Sequence, residues 1–383
     1  MIIVTVGLTL VYLAVLVWLR NGLNTLPGKN HPRPAQAPEV SIIVAARNEE
    51  KTIGTLLRDA VNQDYPGDRV EIIVVNDRST DGTGDIVDRF SKTHPSVTQV
   101  VPGPPPPSWS YKKWALTEGV ARSKGEILLF TDADCRLNKE WISTTVAPFR
   151  DPRIGMVAGP SPLEKDGGLW DRMLLLDSLG QDALAAGGLG RGLSITASGR
   201  NLAIRRKVFD QMEGYSHIET FPSGDDDLMM HKVSSGGWKL TFCLTPAAEV
   251  KSPPPPDLLT FVRQRLRFAS KGKDYFVLPF VRSKFRGALI LIFLVNVSVL
   301  GGQIQFLTTL QSVWMLPWFV KMLADGILLT RYLSFLERPF YPGVFLMTEL
   351  WHSAYVTFFG VLGSFLTVSW KGRKQKPRAI SAD

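Results

Sequence analysis

The run GEILLFTDADC, residues 125 to 135, decides how this chain is read. Its four apolar side chains, Ile127 to Phe130, form the uninterrupted block that fills a strand covered on both faces. The block ends in two carboxylates with one residue between them, Asp132 and Asp134. Charges drawn even part of the way out of water are costly unless a cation or hydrogen-bond donors meet them. Carboxylates so placed offer hard oxygen ligands to Mg²⁺ or Mn²⁺, although Asp-x-Asp taken alone serves equally as a turn or helix cap.

Working outward, VSIIVAA (40–46) and VEIIVVND (70–77) have the same buried-strand composition. Each precedes a helical pattern: NEEKTIGTLLRDAVNQ (48–63), opened by Asn48 as N-cap, and STDGTGDIVDRFSKTH (79–94). Another helix, around Trp114 to Arg122, leads into the strand Glu126 to Thr131. Apolar strands alternating with helices predict an α/β fold with parallel strands covered on both faces. Ligands of such sheets bind beyond the carboxyl ends of the strands. Glu49, Asp77 and the Asp132/Asp134 pair each follow one of these strands and are expected to converge on one rim.

The chain has 383 residues, 45% hydrophobic and 21% charged, and the apolar residues concentrate at its ends. Residues 1–19 carry no charge and approach the roughly 20 residues that span a bilayer, without the basic start of a signal peptide. Beyond residue 285 come three apolar pieces, 287–309, 313–330 and 344–370. The first and last are long enough to span; the middle one holds Pro317, Lys321 and Asp325, the last two spaced to neutralise each other on a helix. Arg20, Lys29 and Arg33 follow the first span and Arg263 to Arg286 precede the second, which predicts a cytoplasmic central region. The net charge of +9 lies largely beside these spans, as anionic headgroups rather than nucleic acid would favour. Two cysteines make no disulfide framework, in keeping with a reducing compartment.

The expected organisation is an anchor (1–20), a Pro-rich linker (21–39), a catalytic α/β domain (40–256), a basic membrane-proximal segment (257–286), a transmembrane region of two or three spans (287–370) and a basic tail (371–383). The glycine-rich GGLGRG (187–192) reads as a mobile loop or lid. The five histidines lack metal-site spacing, and Walker A, G-x-G-x-x-G and G-x-S-x-G motifs are absent from the sequence.

SIIVAARNEE, EIIVVNDRSTDGT and YKKWALTEGVARSKGEILLFTDADC, in this order, resemble the family 2 glycosyltransferases of GT-A fold, and the likeness runs from Val40 to Phe268. It implies a Rossmann-like mixed-sheet core that binds a nucleotide diphosphate sugar, foremost a UDP-sugar, with Mg²⁺ or Mn²⁺. By the same resemblance Glu49 and Asp77 hold base and ribose, Lys112 lies near the diphosphate, Asp132 stands on the ribose side of the metal and Asp134 binds the metal. Arg47 stands where many members have an aromatic residue and Thr117 where they have Asn.

TASGRNLAIRRKVFDQMEGY (196–215) matches a segment bordering donor sugar and acceptor; Arg205 and Arg206 serve equally as helix-capping charges. GDDDLMMHKVSSGGW (224–238) places Asp226 on the family's general base, with Asp225 second, and repulsion among three adjacent acids is expected to raise one acid's affinity for a proton. FVRQRLRFASKG (261–272) resembles Gln-x-x-Arg-Trp, so Gln264, Arg265, Arg267 and Phe268 are implied at acceptor and diphosphate. Phe268 replaces the tryptophan and weakens the case for a processive polysaccharide synthase.

The residues and the resemblance together describe a multi-pass inner-membrane enzyme with a cytoplasmic catalytic domain. It is expected to transfer a sugar with inversion to a lipid or isoprenoid hydroxyl; a processive synthase and an inactive nucleotide-binding scaffold are the alternatives.

Overall fold

A computed structural model describes residues 2–27, 37–165 and 167–363, with the backbone of two short paired strands, Ser369–Trp370 and Arg373–Lys374. Residues 28–36 of the expected linker and nearly all of the basic tail lie outside the described residues. In chain order, helix α1 (Ile2–Leu23) precedes β1 (Val40–Ala46), α2 (Ile53–Val61), β2 (Val70–Asn76), α3 (Thr83–Thr93) and β3 (Val97–Val100). Then come α4 (Tyr111–Arg122), β4 (Ile127–Asp132), β5 (Arg136–Leu137), α5 (Trp141–Val146), β6 (Ile154–Ala158) and α6 (Leu169–Gly190). The remainder is β7 (Leu202–Arg205), α7 (Arg206–Gln211), α8 (Asp227–Ser235), β8 (Lys239–Phe242), β9 (Val250–Lys251), α9 (Leu258–Ala269), α10 (Ser283–Thr309), α11 (Leu316–Phe335) and α12 (Pro342–Leu362).

The chain divides into a sheet unit, residues 27–162 and 196–253, and a helical unit that gathers α1, residues 163–195 and residues 254–363. Segment 163–195 therefore groups with the helices although it lies inside the expected 40–256 domain. The sheet runs β3-β2-β1-β4-β7-β6-β8. Pairs β3/β2, β2/β1 and β1/β4 are parallel, while β7 runs antiparallel to both β4 and β6. Ile42, Ile43, Val74, Val75 and Ile127 to Leu129 are all buried, as their unbroken apolar runs require.

Register places the strand ends side by side, Ala46 opposite Asn76 and Ala45 opposite Asp132. The expected convergence of the acidic strand ends on one rim is thus a property of the sheet. Because β7 is antiparallel, Leu202 at its start pairs with Phe130 near the end of β4, which delivers residues 196–201 to that same rim. At the opposite edge, a Cβ on Gly125 would stand 2.5 Å from the Ser41 amide nitrogen, and the Gly125 N–H donates to Ser41 Oγ at 2.8 Å.

One helix starts later than the sequence suggested. Asn48 adopts φ 53°, outside any helix, and its Oδ1 accepts the Thr80 N–H at 2.9 Å, so α2 begins only at Ile53. A loop-to-loop bond displaces the expected N-cap.

In the helical unit three of the four glycines read as a loop are helical, while Gly192, at φ 68°, follows the end of α6. Gly187, Gly188 and Gly190 form the last turn of α6. A Cβ on Gly190 would lie 2.1 Å from the Gly22 carbonyl oxygen, and one on Gly22 would lie 2.5 Å from that of Gly187. Small residues let the backbones of α1 and α6 touch, as they do at membrane-type helix crossings. Ile2–Leu23, Ser283–Thr309 and Ser312–Phe335 are, among the described residues, the helices long and apolar enough to cross a membrane. The doubtful middle piece thus qualifies, while α12, with Glu349 and His352 in its sequence, does not.

Replacing Gly190 by Ala is expected to lower stability in detergent by about 1–3 kcal/mol through overpacking. Gly7→Ala, where a Cβ meets nothing within 4 Å, serves as the neutral control. Equal melting temperatures for the two variants would disprove the close crossing.

Candidate active site

Two loops frame one side of the rim. Arg47 Nη1 donates to the carbonyls of Asp77 (2.8 Å) and Arg78 (3.0 Å), so the residue standing in an aromatic's place staples the loop after β2. Asp77 is buried; its Oδ1 accepts from Arg78 Nε (3.0 Å) and Nη2 (2.7 Å). The Glu49 N–H donates to Thr83 Oγ1 at 2.8 Å, and Glu49 Oε2 accepts from Thr52 at 2.9 Å. Arg78, at φ 54°, lies over the Tyr111 ring at 5.5 Å. Thr117, in the place of Asn, turns inward and donates to the Lys113 carbonyl at 2.9 Å.

The centre of the rim is held by Lys112, on the first turn of α4. Its Nζ lies 2.9 Å from Asp132 Oδ1 and 2.8 Å from Asp225 Oδ2. Burial disfavours this ammonium, yet the two carboxylates outweigh burial and hold its pKa above the ordinary lysine range. Asp225 moves the opposite way: burial would raise its pKa, but the charges of Lys112 and Lys113 hold it well below the usual carboxylate range. The proton affinity expected from three adjacent acids is therefore not found at Asp225.

Asp226 faces different donors. Its Oδ2 accepts the Gly199 N–H at 3.0 Å and its Oδ1 the Asp227 N–H at 2.8 Å, which makes it the N-cap of α8 as well. Its carboxylate is fixed by backbone on both oxygens, across the 196–201 segment that β7 delivers. Asp134 follows β4 in a half-buried turn, where its Oδ1 lies 3.8 Å from Cys135 Sγ. Both cysteines are buried and protonated: burial lifts Cys135, with Asp134 and Asp132 adding to it, and burial pushes Cys243 up to about 12. Neither offers a thiolate nucleophile.

Three supporting residues escaped the sequence reading. Lys113 is fully buried and donates to the carbonyls of Phe221 (2.6 Å) and Ser223 (2.9 Å), holding the chain that enters the acidic run. Asn201, also fully buried, accepts from Trp141 Nε1 at 2.9 Å and donates to the carbonyls of Pro160 (2.8 Å) and Ala248 (2.7 Å). Gly199 supplies the N–H to Asp226. A polar residue directly before an apolar strand, as in RNLAI, was the available signal for Asn201. Arg205 and Arg206 prove structural: Arg206 donates to the Gly125 carbonyl and to Ser123 Oγ, each at 2.7 Å, and Arg205 to Glu126 (2.8 Å) and the Phe149 carbonyl (2.7 Å).

The motif residues Gln264, Arg265, Arg267 and Phe268 lie on α9, in the helical unit. There Arg265 is buried, its Nη2 donating to Asp177 Oδ2 at 2.6 Å, with its guanidinium 5.2 Å from the Phe261 ring. Phe268 is 40% exposed.

With this geometry in place, comparison with known proteins identifies the family. The model of glycosyl transferase family 2 matches residues 41–212, and that of glycosyl transferase family group 2 matches residues 127–367. The chain belongs to glycosyltransferase family 2.

Probable glycosyltransferase YdaM of Bacillus subtilis is 33% identical over 254 residues, covering 66% of this chain and 59% of that protein. Beta-monoglucosyldiacylglycerol synthase of Synechocystis sp. is 28% identical over 241 residues, covering 61% and 48% respectively. The chain thus spans between 48% and 59% of the length of these curated relatives. The solved structure of mannosyltransferase PcManGT from Pyrobaculum calidifontis, in complex with GDP-Man and Mn²⁺, matches with a TM-score of 0.57 at 18% identity. That match covers 95% of this chain and 94% of the other, and it shows a shared GT-A fold.

The bridge at Lys112 carries a measurable signature. Asp225 stabilises the fold above the ordinary aspartate pKa of about 3.9, and this is lost as pH falls through its lowered folded value. Lys112 stabilises below about 10.4, and this is lost as pH rises through its raised folded value. Lys112→Met is expected to cost about 3–5 kcal/mol by urea unfolding at neutral pH, because it strands a buried carboxylate. The penalty should hold from about pH 5 to pH 9 and shrink in stronger acid. A penalty unchanged at acid pH, or none at neutrality, would contradict the bridge.

Proposed function

We propose that the chain is an inverting glycosyltransferase, taking a sugar from a nucleotide diphosphate sugar, UDP-sugars foremost, and passing it to the hydroxyl of a membrane-borne lipid. The observation that carries this reading is the Lys112 bridge, which ties the Asp-x-Asp strand end to the acidic run at the start of α8. Two segments far apart in sequence are drawn together at the end of the sheet where ligands of such folds bind.

The residues present suit a divalent cation. Asp132 and Asp134 offer hard oxygen donors, and the carboxylates of Asp132, Asp134, Asp225 and Asp226 outnumber the Lys112 ammonium in the bridge. Asp134 would hold the ion, with Asp132 beside it; when bound, Mg²⁺ or Mn²⁺ would neutralise charge on the diphosphate leaving group. Glu49 and the buried Asp77, on loops bonded to one another, would receive base and ribose. Lys112 would lend its ammonium to the diphosphate, and Asp132 would turn towards the ribose side.

Asp226 is the proposed general base. As the acceptor oxygen forms its bond to the anomeric carbon and the bond to the diphosphate breaks on the opposite face, the acceptor proton passes to Asp226. The N–H groups of Gly199 and Asp227 hold that carboxylate in place. Asp225, tied to Lys112, supports Asp226 instead of replacing it.

The lipid acceptor and a multi-pass inner-membrane setting with a cytoplasmic sheet unit are supported by the three long apolar helices and by a relative named for glucosyldiacylglycerol synthesis. Gln264, Arg265, Arg267 and Phe268 would serve the acceptor end, and phenylalanine in the motif disfavours a polymer-extending role.

Membranes holding the full chain, incubated with radiolabelled nucleotide sugars and Mn²⁺, should place label in the lipid extract. Asp226→Asn is expected to lower that transfer about 10²–10⁴-fold without changing donor binding. Label confined to water-soluble polymer would overturn the lipid acceptor, and full activity in Asp226→Asn would overturn the base.

A further inference from the structure

The helical unit contains a cavity of about 100 Å³ among α1, α6, α11 and α12, with one polar end. Tyr12, Asp325, Glu349 and His352, gathered around Lys321, line that end. Leu16, Leu184 and Leu328 line the apolar wall. Such a volume admits a hydroxyl and a few carbons of a larger molecule.

A buried network fixes the polar end. Lys321 Nζ, wholly buried, lies 2.5 Å from Asp325 Oδ2, 2.7 Å from Glu349 Oε2 and 3.1 Å from His352 Nδ1. Tyr12 donates to Asp325 Oδ1 at 2.6 Å. The pairing of Lys321 with Asp325 expected from their spacing is present, and Glu349 is a second partner from another helix. Ligand atoms of Asp325, Glu349 and His352 lie within 4.8 Å of one another, but the ammonium already takes the place a metal ion would need.

Two consequences follow from counting donors and charges. An ammonium has three hydrogens, and Lys321 directs them at three partners, so it has no donor left for a phosphate. One cation faces two carboxylates, while the third acid at the cavity, Asp177, is paired with Arg265. With histidine uncharged, and with burial pushing the Glu349 carboxyl up to about 7, the polar end carries no net positive charge at neutral pH, turns net negative above it, and is rich in acceptor lone pairs. It suits a hydroxyl donor and offers an anion neither a spare lysine hydrogen nor a net positive charge.

We propose that this cavity binds the hydroxyl end of an uncharged, long-chain lipid and excludes phosphorylated lipids. Arg265 acts here as a positioning residue, since it holds Asp177, whose Oδ2 also accepts from Gln181 at 2.8 Å. That the bound lipid is the sugar acceptor rests on the function proposed above; the binding does not.

The test uses the full chain in detergent and a diazirine-bearing palmityl alcohol, with cross-links mapped by mass spectrometry. Label is expected in the peptides containing Leu184 and Leu328, competed by palmityl alcohol and about tenfold more weakly by palmityl phosphate, a difference of about 1.4 kcal/mol. Leu184→Trp, which fills the cavity, should cut this labelling about tenfold. Should that variant fail to fold, Glu349→Gln gives a second reading: the disadvantage of the phosphate should largely vanish while alcohol labelling persists.

Label spread evenly over the outer helix faces, equal competition by the phosphate, or a folded Leu184→Trp labelled like the wild type would each overturn the proposal. Labelling in the cavity without glycosylation of any lipid would uphold the site and remove only its link to the acceptor. Undiminished lipid glycosylation by a folded Leu184→Trp that no longer takes up the label would likewise remove only the link to the acceptor, leaving the site and the transferase reading standing.

Discussion

One ammonium group, that of Lys112, holds the sheet unit's rim together. Asp132 ends β4 and Asp225 precedes α8, and neither carboxylate could lie so near the other without a cation between them. The bridge also explains why the acidic run tolerates burial: Asp225 is matched by Lys112, Asp226 by two backbone N–H groups, and the chain leading to them is pinned by Lys113. Five charged side chains, Lys112, Lys113, Asp132, Asp225 and Asp226, thus meet in a small volume, each with a stated partner. A divalent cation with a nucleotide diphosphate would enter a site whose local charge is already balanced at one end and in excess at the other.

Much of this was legible in sequence because strands buried on both faces write long apolar runs, and β1, β2 and β4 do so plainly. The acids after those strands could be placed on one rim from strand direction alone. What stayed hidden depends on contacts between distant loops. Asn48 has the residue type of a helix cap, but its partner Thr80 belongs to another loop, and that bond moves the start of α2 to Ile53. Lys112 and Lys113 are adjacent lysines in YKKWA, and only the fold separates a clamp on two carboxylates from a clamp on two carbonyls. Asn201 and Gly199 act through a strand that runs against its neighbours, a direction that local sequence does not encode.

The helical unit makes the same point from the other side. A glycine-rich stretch reads as a loop by composition, yet the backbone of α1 needs those positions empty of side chains, so the glycines remain helical. Lys321 and Asp325 announced their pairing by a spacing of four, whereas Glu349 entered from a separate helix. Polar groups in an apolar bundle are retained at some cost in stability, which fits the lipid-binding role proposed for its cavity.

Mn²⁺ binding decides whether the end of β4 carries a nucleotide-dependent metal site. Electron paramagnetic resonance of free Mn²⁺, titrated with the full chain in the presence and absence of UDP, reports bound metal without needing an acceptor. UDP is expected to strengthen Mn²⁺ binding by the wild type, and Asp134→Asn to abolish this effect while unfolding like the wild type. An Asp134→Asn protein that binds Mn²⁺ and UDP as the wild type does would contradict that expectation.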